Sequence, residues 1–184
     1  MTGRTAQQSE AGRLYDEWLV TLAMSGDRKA RDRLAGRWQP RLARAARRML
    51  RNDEQALVAV QEAWVSILRG MGSLQEPARF APWAFGILRR RCVDQIRLEA
   101  GRRSRETAEV EDAASLPTAE GSIAIDQAFA ALSPDQRLAA QLHFVEGFTL
   151  AEIAGVQNVP LGTAKTRLFH ARRKLKAALE GDDT

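Results

Sequence analysis

Residues 149–175, TLAEIAGVQNVPLGTAKTRLFHARRKL, restrict what this chain can fold into more than any other stretch. Thr149 can accept a hydrogen bond at a helix start, and Glu152 three residues on can return one to the cap amide. Phe148 and Ile153 are spaced to form the accompanying hydrophobic staple. Leu150, Ile153, Ala154 and Val156 then recur at helical spacing. Asn158 tolerates a left-handed backbone and the Val159-Pro160 pair blocks continuation, so the first helix stops near Gln157. Pro160 is acceptable at the entrance of a second helix, where a missing amide proton costs little, and Gly162 and Thr163 keep that entrance uncrowded. Two short helices joined by a tight turn make a helix-turn-helix.

The second helix has two distinct sides. Ala164, Leu168, Ala171 and Leu175 form an apolar stripe that must pack inward, which turns Lys165, Thr166, Phe169, His170 and Arg173 outward. From Lys165 to Lys176 there are six Lys or Arg and no acid. Such a face neutralises phosphates while Lys, Thr and an aromatic ring reach base edges in a major groove. A charge run alone is more often a solvated face. The capped helix and short turn in front of it tip the reading to DNA binding.

The rest of the chain reads as helices. Leu14, Trp18 and Leu22 share one helical face, and Ser25-Gly26-Asp27 ends that helix and caps the next. A second helix from about Arg28 to Leu50 puts Leu34, Trp38, Leu42, Ala45, Ala46 and Met49 on one side and arginines elsewhere. A third, from Glu54 to about Arg69, carries the apolar run at 56–60, and Gly70, Gly72, Ser73 and Pro77 mark a loop. A fourth begins near Phe80 and runs to Leu98, with Arg89, Arg90, Arg91 and Arg97 beside Phe80, Trp83 and Phe85. Rings next to a cationic track suit single-stranded nucleic acid, although Trp83 and Phe85 at that spacing read more readily as core. Residues 123–132 suggest a short helix, and Ser133-Pro134-Asp135-Gln136 is a second capping box opening a helix through Leu138, Leu142 and Val145 that Gly147 closes.

Charge, cysteine and hydropathy exclude several classes. The formal charge of +5 suits a polyanionic partner. One cysteine, Cys92, allows no intrachain disulfide, and His143 and His170 alone make no zinc site, so neither metal nor cofactor is expected. No apolar run is long enough to span a bilayer and the N-terminus lacks a signal-peptide core, which points to a cytoplasmic protein without membrane insertion. Residues 101–122 turn polar and acidic and read as a linker that could reach roughly 70 Å when extended. The expected fold is therefore all-α: a disordered N-terminus at 1–13, a helical domain at 14–100, a flexible linker at 101–122, and a four-helix domain containing the helix-turn-helix at 123–180.

Laid out this way, the chain resembles the extracytoplasmic-function group of sigma-70-family bacterial transcription initiation factors over about residues 14–178. In the C-terminal half LSPDQR at 132–137, GFTLAEIA at 147–154 and VPLGTAKTRLFHAR at 159–172 are similar to the family's region 4. In the N-terminal half SGD at 25–27, VQEAW at 60–64, FAPWAF at 80–85 and DQIR at 94–97 are similar to region 2.

The resemblance implies an alternative sigma factor, a binding protein and not an enzyme. Region 2 would hold the clamp of core RNA polymerase through Val58, Gln61, Glu62 and Trp64. It would capture the melted −10 strand with Phe80, Trp83, Arg89, Arg90, Arg91, Asp94 and Arg97. Region 4 would sit on the polymerase flap and read the −35 duplex with Gly162, Thr163, Lys165, Thr166, Phe169, His170 and Arg173. An anti-sigma factor is an expected further partner. One departure stands out: family members usually carry acids just before the position of Gln61, where this chain has Leu57, Val58 and Ala59. That substitution motivates an alternative, a sigma-like decoy that binds an anti-sigma factor without productive polymerase binding. A two-domain repressor with a ligand pocket finds no support in residues 14–100.

Overall fold

Asp27, Asn52, Ser133 and Thr149 each start a helix by accepting a backbone N–H, from Ala30, Gln55, Gln136 and Glu152 respectively. The computed structural model describes residues 2–105 and 128–180, and every regular element among them is helical. The helices are α1 Thr2–Met24, α2 Arg28–Leu50, α3 Asp53–Gly70, α4 Phe80–Arg105, α5 Pro134–Ala140, α6 Leu150–Gln157 and α7 Leu161–Glu180. Two 3-10 turns, Met71–Ser73 and Pro77–Arg79, fill the loop before α4. At Ser133 and Thr149 both halves of the capping box are present; the Glu152 carboxylate accepts from the Thr149 amide at 2.8 Å. Asn158 closes α6 with φ of 50° and Gly147 precedes it with φ of 73°, the left-handed conformations that the sequence requires there.

Two boundaries differ from expectation. α1 begins at Thr2, not near residue 14. Residues 2–13 contain no proline and several good helix formers, so once Leu19, Val20 and Ala23 are anchored in the core, extension towards the N-terminus is inexpensive. α4 likewise runs to Arg105, which makes the first five residues of the expected linker helical. Residues 106–122 of that linker, and 123–127 of the helix expected after it, lie outside the described residues.

α1 to α4 pack around Leu34, Trp38, Leu42, Val60, Ile67, Phe80, Phe85 and Leu88. The same buried cluster continues without a gap into Leu138, Leu142, Phe148, Ile153, Val156 and Ala164 of the C-terminal half. Trp38 meets Phe80 edge-on at 4.9 Å, Phe85 lies 6.0 Å from Trp38, and Phe148 meets Phe85 edge-on at 5.5 Å. α2 therefore touches α5, and α4 touches α6.

After α5 the chain makes a π-helical turn, Gln141–Val145. Its extra residue per turn rotates the residues downstream of it. Leu138 and Leu142 are buried as their spacing predicts, but Val145, expected on the same stripe, is 47% exposed.

Thr149→Ala removes a cap without touching the core and is expected to lower stability by about 1 kcal/mol, measured by urea denaturation. Cys92 is fully buried on α4, and burial pushes its thiol up to about 12. A thiol whose folded pKa lies above its unfolded value holds its stabilising contribution below about pH 9 and loses it as pH rises towards 12. Alkylation of the native protein at pH 8 is expected to leave Cys92 unmodified, and to modify it fully in denaturant.

Candidate nucleic-acid and polymerase interfaces

α7 is amphipathic in the expected sense. Ala164 and Ala171 are inaccessible to solvent, Leu168 and Leu175 are half-buried, and Gly162, Thr163, Lys165, Thr166, Phe169 and Arg173 are exposed, with His170 half-buried. Phe169, 60% exposed, meets the His170 ring edge-on at 5.6 Å. The Thr166 hydroxyl donates to the Gly162 carbonyl at 2.9 Å, which fixes its rotamer and leaves its methyl and lone pairs outward. Arg172 is also exposed, two helical turns beyond Lys165 and one beyond Phe169. Its spacing from Lys165 is the sequence signal that places it on the same side, although the inward stripe and the motif resemblance do not single it out.

The six positives of α7 do not all face outward. Arg167 donates to the Gln157 side chain at 2.9 Å and pairs with Asp135 at 2.9 Å, and Lys174 donates to the Ala131 carbonyl. These two hold the helix to its own half.

The residues expected to bind a melted strand divide into two groups. Phe80 is 2% exposed and wedged against Trp38, so it serves as core and cannot stack on a base where it stands. Trp83 is half-buried, its ring lying where a Cβ on Gly70 would come within 3.1 Å. Phe85 is fully buried. The cationic members do converge: Arg89, Arg90, Arg91, Val93, Asp94 and Arg97 line a depression of about 300 Å³ on α4. Within it Arg90 and Arg97 are exposed, Arg91 donates to the Ser66 hydroxyl at 2.9 Å and lies 3.6 Å from Asp94, and Arg89 is paired with Asp135 at 3.1 Å. Asp94 thus orients an arginine at the rim.

On α3 the apolar run at 56–60 splits by face. Ala56, Ala59 and Val60 are buried, while Val58 at 36% and Leu57 at 54% face solvent. Val65 at 48% and Leu68 at 51% continue the same side, interleaved with exposed Gln61 and Glu62. Trp64 is half-buried, its indole N–H donating to the Gln39 carboxamide of α2. Sequence alone does not single out Val65 and Leu68, because apolar residues on a region-2 helix read as core until their neighbours are placed. Arg137, by contrast, is structural: it donates to the Leu132 and Arg48 carbonyls, and burial next to Arg51 lowers its pKa to about 10, which leaves it cationic at neutral pH. Among the described residues no cluster of His, Cys, Asp or Glu could hold a metal, and no helix is long and apolar enough to cross a membrane.

Two family models match this arrangement, sigma-70 region 2 over residues 34–103 and sigma-70 region 4 over residues 122–175. An extracytoplasmic-function RNA polymerase sigma factor, SigM of Mycobacterium tuberculosis, is 33% identical over 89% of this chain and 84% of its own length. The sigma-H factor of Pseudomonas aeruginosa is 28% identical over 90% of this chain and 94% of its own. Among solved structures, sigma factor RpoE of Bartonella quintana, in complex with the anti-sigma factor NepR, superposes with a TM-score of 0.70 at 26% identity. That match covers 83% of this chain and 98% of RpoE.

The chain belongs to the extracytoplasmic-function group of the sigma-70 family. It is an alternative sigma factor, all-α among the described residues, with the region 2 match running from within α2 through α4 and the region 4 match covering α5, α6 and most of α7.

The two roles assigned around α4 are separable. Phe80→Ala is expected to cost about 3–5 kcal/mol of stability as a core truncation. Arg97→Ala is expected to leave the melting temperature within about 1 °C and to weaken binding of a single-stranded oligonucleotide. Thermal melts and fluorescence anisotropy on both variants check this.

Proposed function

We propose that this sigma factor holds core RNA polymerase through the exposed side of α3 and reads a two-part promoter, with α4 on the melted −10 strand and α7 on the −35 duplex. The observation that carries the reading is the placement of unpaired cations. Lys165, Arg172 and Arg173 sit with Phe169 on the solvent side of the second helix of a helix-turn-helix, the geometry in which side chains reach both phosphates and base edges. Arg90 and Arg97 sit at an open depression whose fixed aromatic neighbours, Phe80 and Phe85, stiffen the helix that displays them.

The polymerase contact proposed for Val58, Gln61, Glu62 and Trp64 extends to Leu57, Val65 and Leu68. Where an acidic surface would attract a basic partner over a distance, an apolar stripe binds by excluding water at contact. Such a contact depends on shape complementarity and little on salt. Anti-sigma factors accompany relatives such as RpoE in solved structures, and a regulator of that kind is the expected further partner here, masking one or more of the three faces. The protein acts in the cytoplasm as a binding module and performs no covalent chemistry of its own.

Run-off transcription with purified core polymerase across a genomic template set tests the whole reading. Promoter-specific initiation is expected; if core polymerase were not even retained on the immobilised chain, the decoy alternative would take its place. Within the reading, Lys165→Ala and Arg173→Ala are each expected to weaken duplex binding and to reduce the slope of log K against log salt by about 0.9, the value of one phosphate contact. Titration at several salt concentrations measures that slope, and an unchanged slope removes the residue from the contact set.

A further inference from the structure

α1 carries apolar residues on two sides. Leu19, Val20 and Ala23 enter the core, whereas Leu14, Tyr15 and Trp18 are 60%, 38% and 50% exposed. The spacing of Leu14 and Trp18 marks an apolar face, and the structure turns that face to solvent. The Tyr15 and Trp18 rings stack with centroids 5.7 Å apart and planes 29° from parallel. The Arg37 guanidinium of α2 lies over the Tyr15 ring, 5.0 Å from its centroid, and donates to the Asp16 carboxylate at 2.7 Å. Three flat groups, Arg37, Tyr15 and Trp18, are thereby gathered on one surface. An exposed cluster of this kind forgoes the burial that aromatic rings ordinarily contribute and marks a place where something binds.

The register of the two helices sets what lies beside this surface. Arg31 donates to the Ala23 carbonyl and Arg37 to Asp16, so α1 and α2 run antiparallel. The turn from Tyr15 to Trp18 on α1 therefore runs the same way as the turn from Arg37 back to Arg33 on α2. α2 holds nine Lys or Arg against one acid, and Arg33, Arg37, Arg41 and Arg44 follow one another along one of its sides at intervals of four, four and three. Arg37 and Arg41 are held by Asp16, while Arg33 and Arg44 are exposed and meet no carboxylate among the described residues. From Arg33 to Arg44 the row spans roughly 16 Å, the stacked length of about four to five nucleotides. None of the faces assigned above to polymerase, the −10 strand or the −35 duplex uses these residues.

We propose that the Tyr15–Trp18 surface and the arginine row of α2 form a platform for single-stranded nucleic acid, separate from the α4 depression. A base stacks on the exposed Trp18 indole, and Arg33 and Arg44 take phosphates along the row. Arg37 is a positioning residue: fixed by Asp16, its plane holds the Tyr15 ring in one orientation against Trp18. Every base has a π-face and every nucleotide a phosphate, so the platform binds a strand without reading its sequence. An apolar partner helix matches the surface less well. Flat rings offer no groove for a ridge of side chains, and an uncharged ridge would leave the arginine row unmatched.

The test uses the full chain, alone and with Arg97→Ala to weaken the α4 depression, and fluorescent oligothymidylate and oligouridylate of about 15 nucleotides, within the site sizes that single-strand binders cover. Anisotropy is expected to show Trp18→Ala weakening binding about tenfold in both backgrounds, with Trp18→Phe, which keeps a ring, within about twofold of the parent. Arg33→Ala is expected to lower the slope of log K against log salt by about 0.7, the value of one single-strand phosphate. Ultraviolet cross-linking of iodouracil-bearing strands to the unsubstituted chain is expected to label Tyr15 or Trp18, a readout that does not depend on how well any variant folds. These effects in either the DNA or the RNA arm support the platform, and the tighter arm identifies the strand it serves. Absence of both the cross-link and the Arg33→Ala slope change in both arms overturns it. So does a Trp18→Ala chain that loses retention on core polymerase but binds oligonucleotide as before, because the surface would then be a protein-docking face. No polymerase enters the binding measurements, so a chain that fails to start transcription leaves the platform standing, and a chain without the platform leaves promoter reading by α4 and α7 untouched.

Discussion

The Trp38 indole is the contact on which the arrangement depends. Phe80 abuts its edge, Phe85 is tilted against it, and the Arg41 guanidinium lies 3.8 Å over its ring. Two residues of α4 are thereby fixed against one of α2, so α4 has no freedom to roll, and the arginines on its far side are displayed in one register. Phe85 then passes the contact to Phe148, which sits at the entrance to α6. A ring stack beginning in region 2 therefore ends at the residue just before the helix-turn-helix. Truncating any ring in it would loosen both the orientation of the α4 depression and the seam between the halves, and such effects are not additive because the rings share neighbours.

Arg41 also shows how the polar and apolar parts of the seam are joined. Its planar face covers Trp38 while its N–H groups reach Glu146 and Asp16. Lysine could supply the charge but not the stacked plane with two donors in fixed directions. The side chain of Glu146 is 3% exposed, and a carboxylate that deeply placed is tolerable only with a close cation and further hydrogen bonds, here from Gln141. The π-helical turn brings Glu146 there. A regular α-helix through Gln141–Val145 would close the turn with one residue fewer and point the residues beyond it elsewhere.

Local signals in the sequence are legible wherever a backbone conformation demands a residue type. The caps at Asp27, Asn52, Ser133 and Thr149, the left-handed Asn158 and Gly147, and the stripe of Ala164, Leu168, Ala171 and Leu175 all arise from that demand. The α7 surface is legible for the same reason, since an amphipathic helix has only one outward side. Contacts between distant residues set the rest. Phe80 reads equally well as a base platform or as core until Trp38 is placed against it, and Leu57 and Val58 read equally well as a binding surface or as core until their exposure is seen. The helical start of α1 escapes a sequence reading because polar composition suggests disorder, yet helix propagation from an anchored segment needs only the absence of a breaker. A seam between halves leaves no periodic trace at all: Arg89, Asp135 and Arg167 are ordinary surface residues in their own helices.

The same partition changes how the charge of the chain should be used. A formal +5, with 28 basic residues, suggests a strongly cationic DNA-binding protein. Yet Arg37, Arg41, Arg89, Arg137 and Arg167 are engaged by carboxylates or backbone carbonyls inside the fold, and Lys174 caps a neighbouring segment. Cations already neutralised by protein release no counterions when DNA arrives, so in the promoter-reading role proposed above the salt dependence of binding falls to exposed Lys165, Arg172 and Arg173 on α7 and Arg90 and Arg97 on α4.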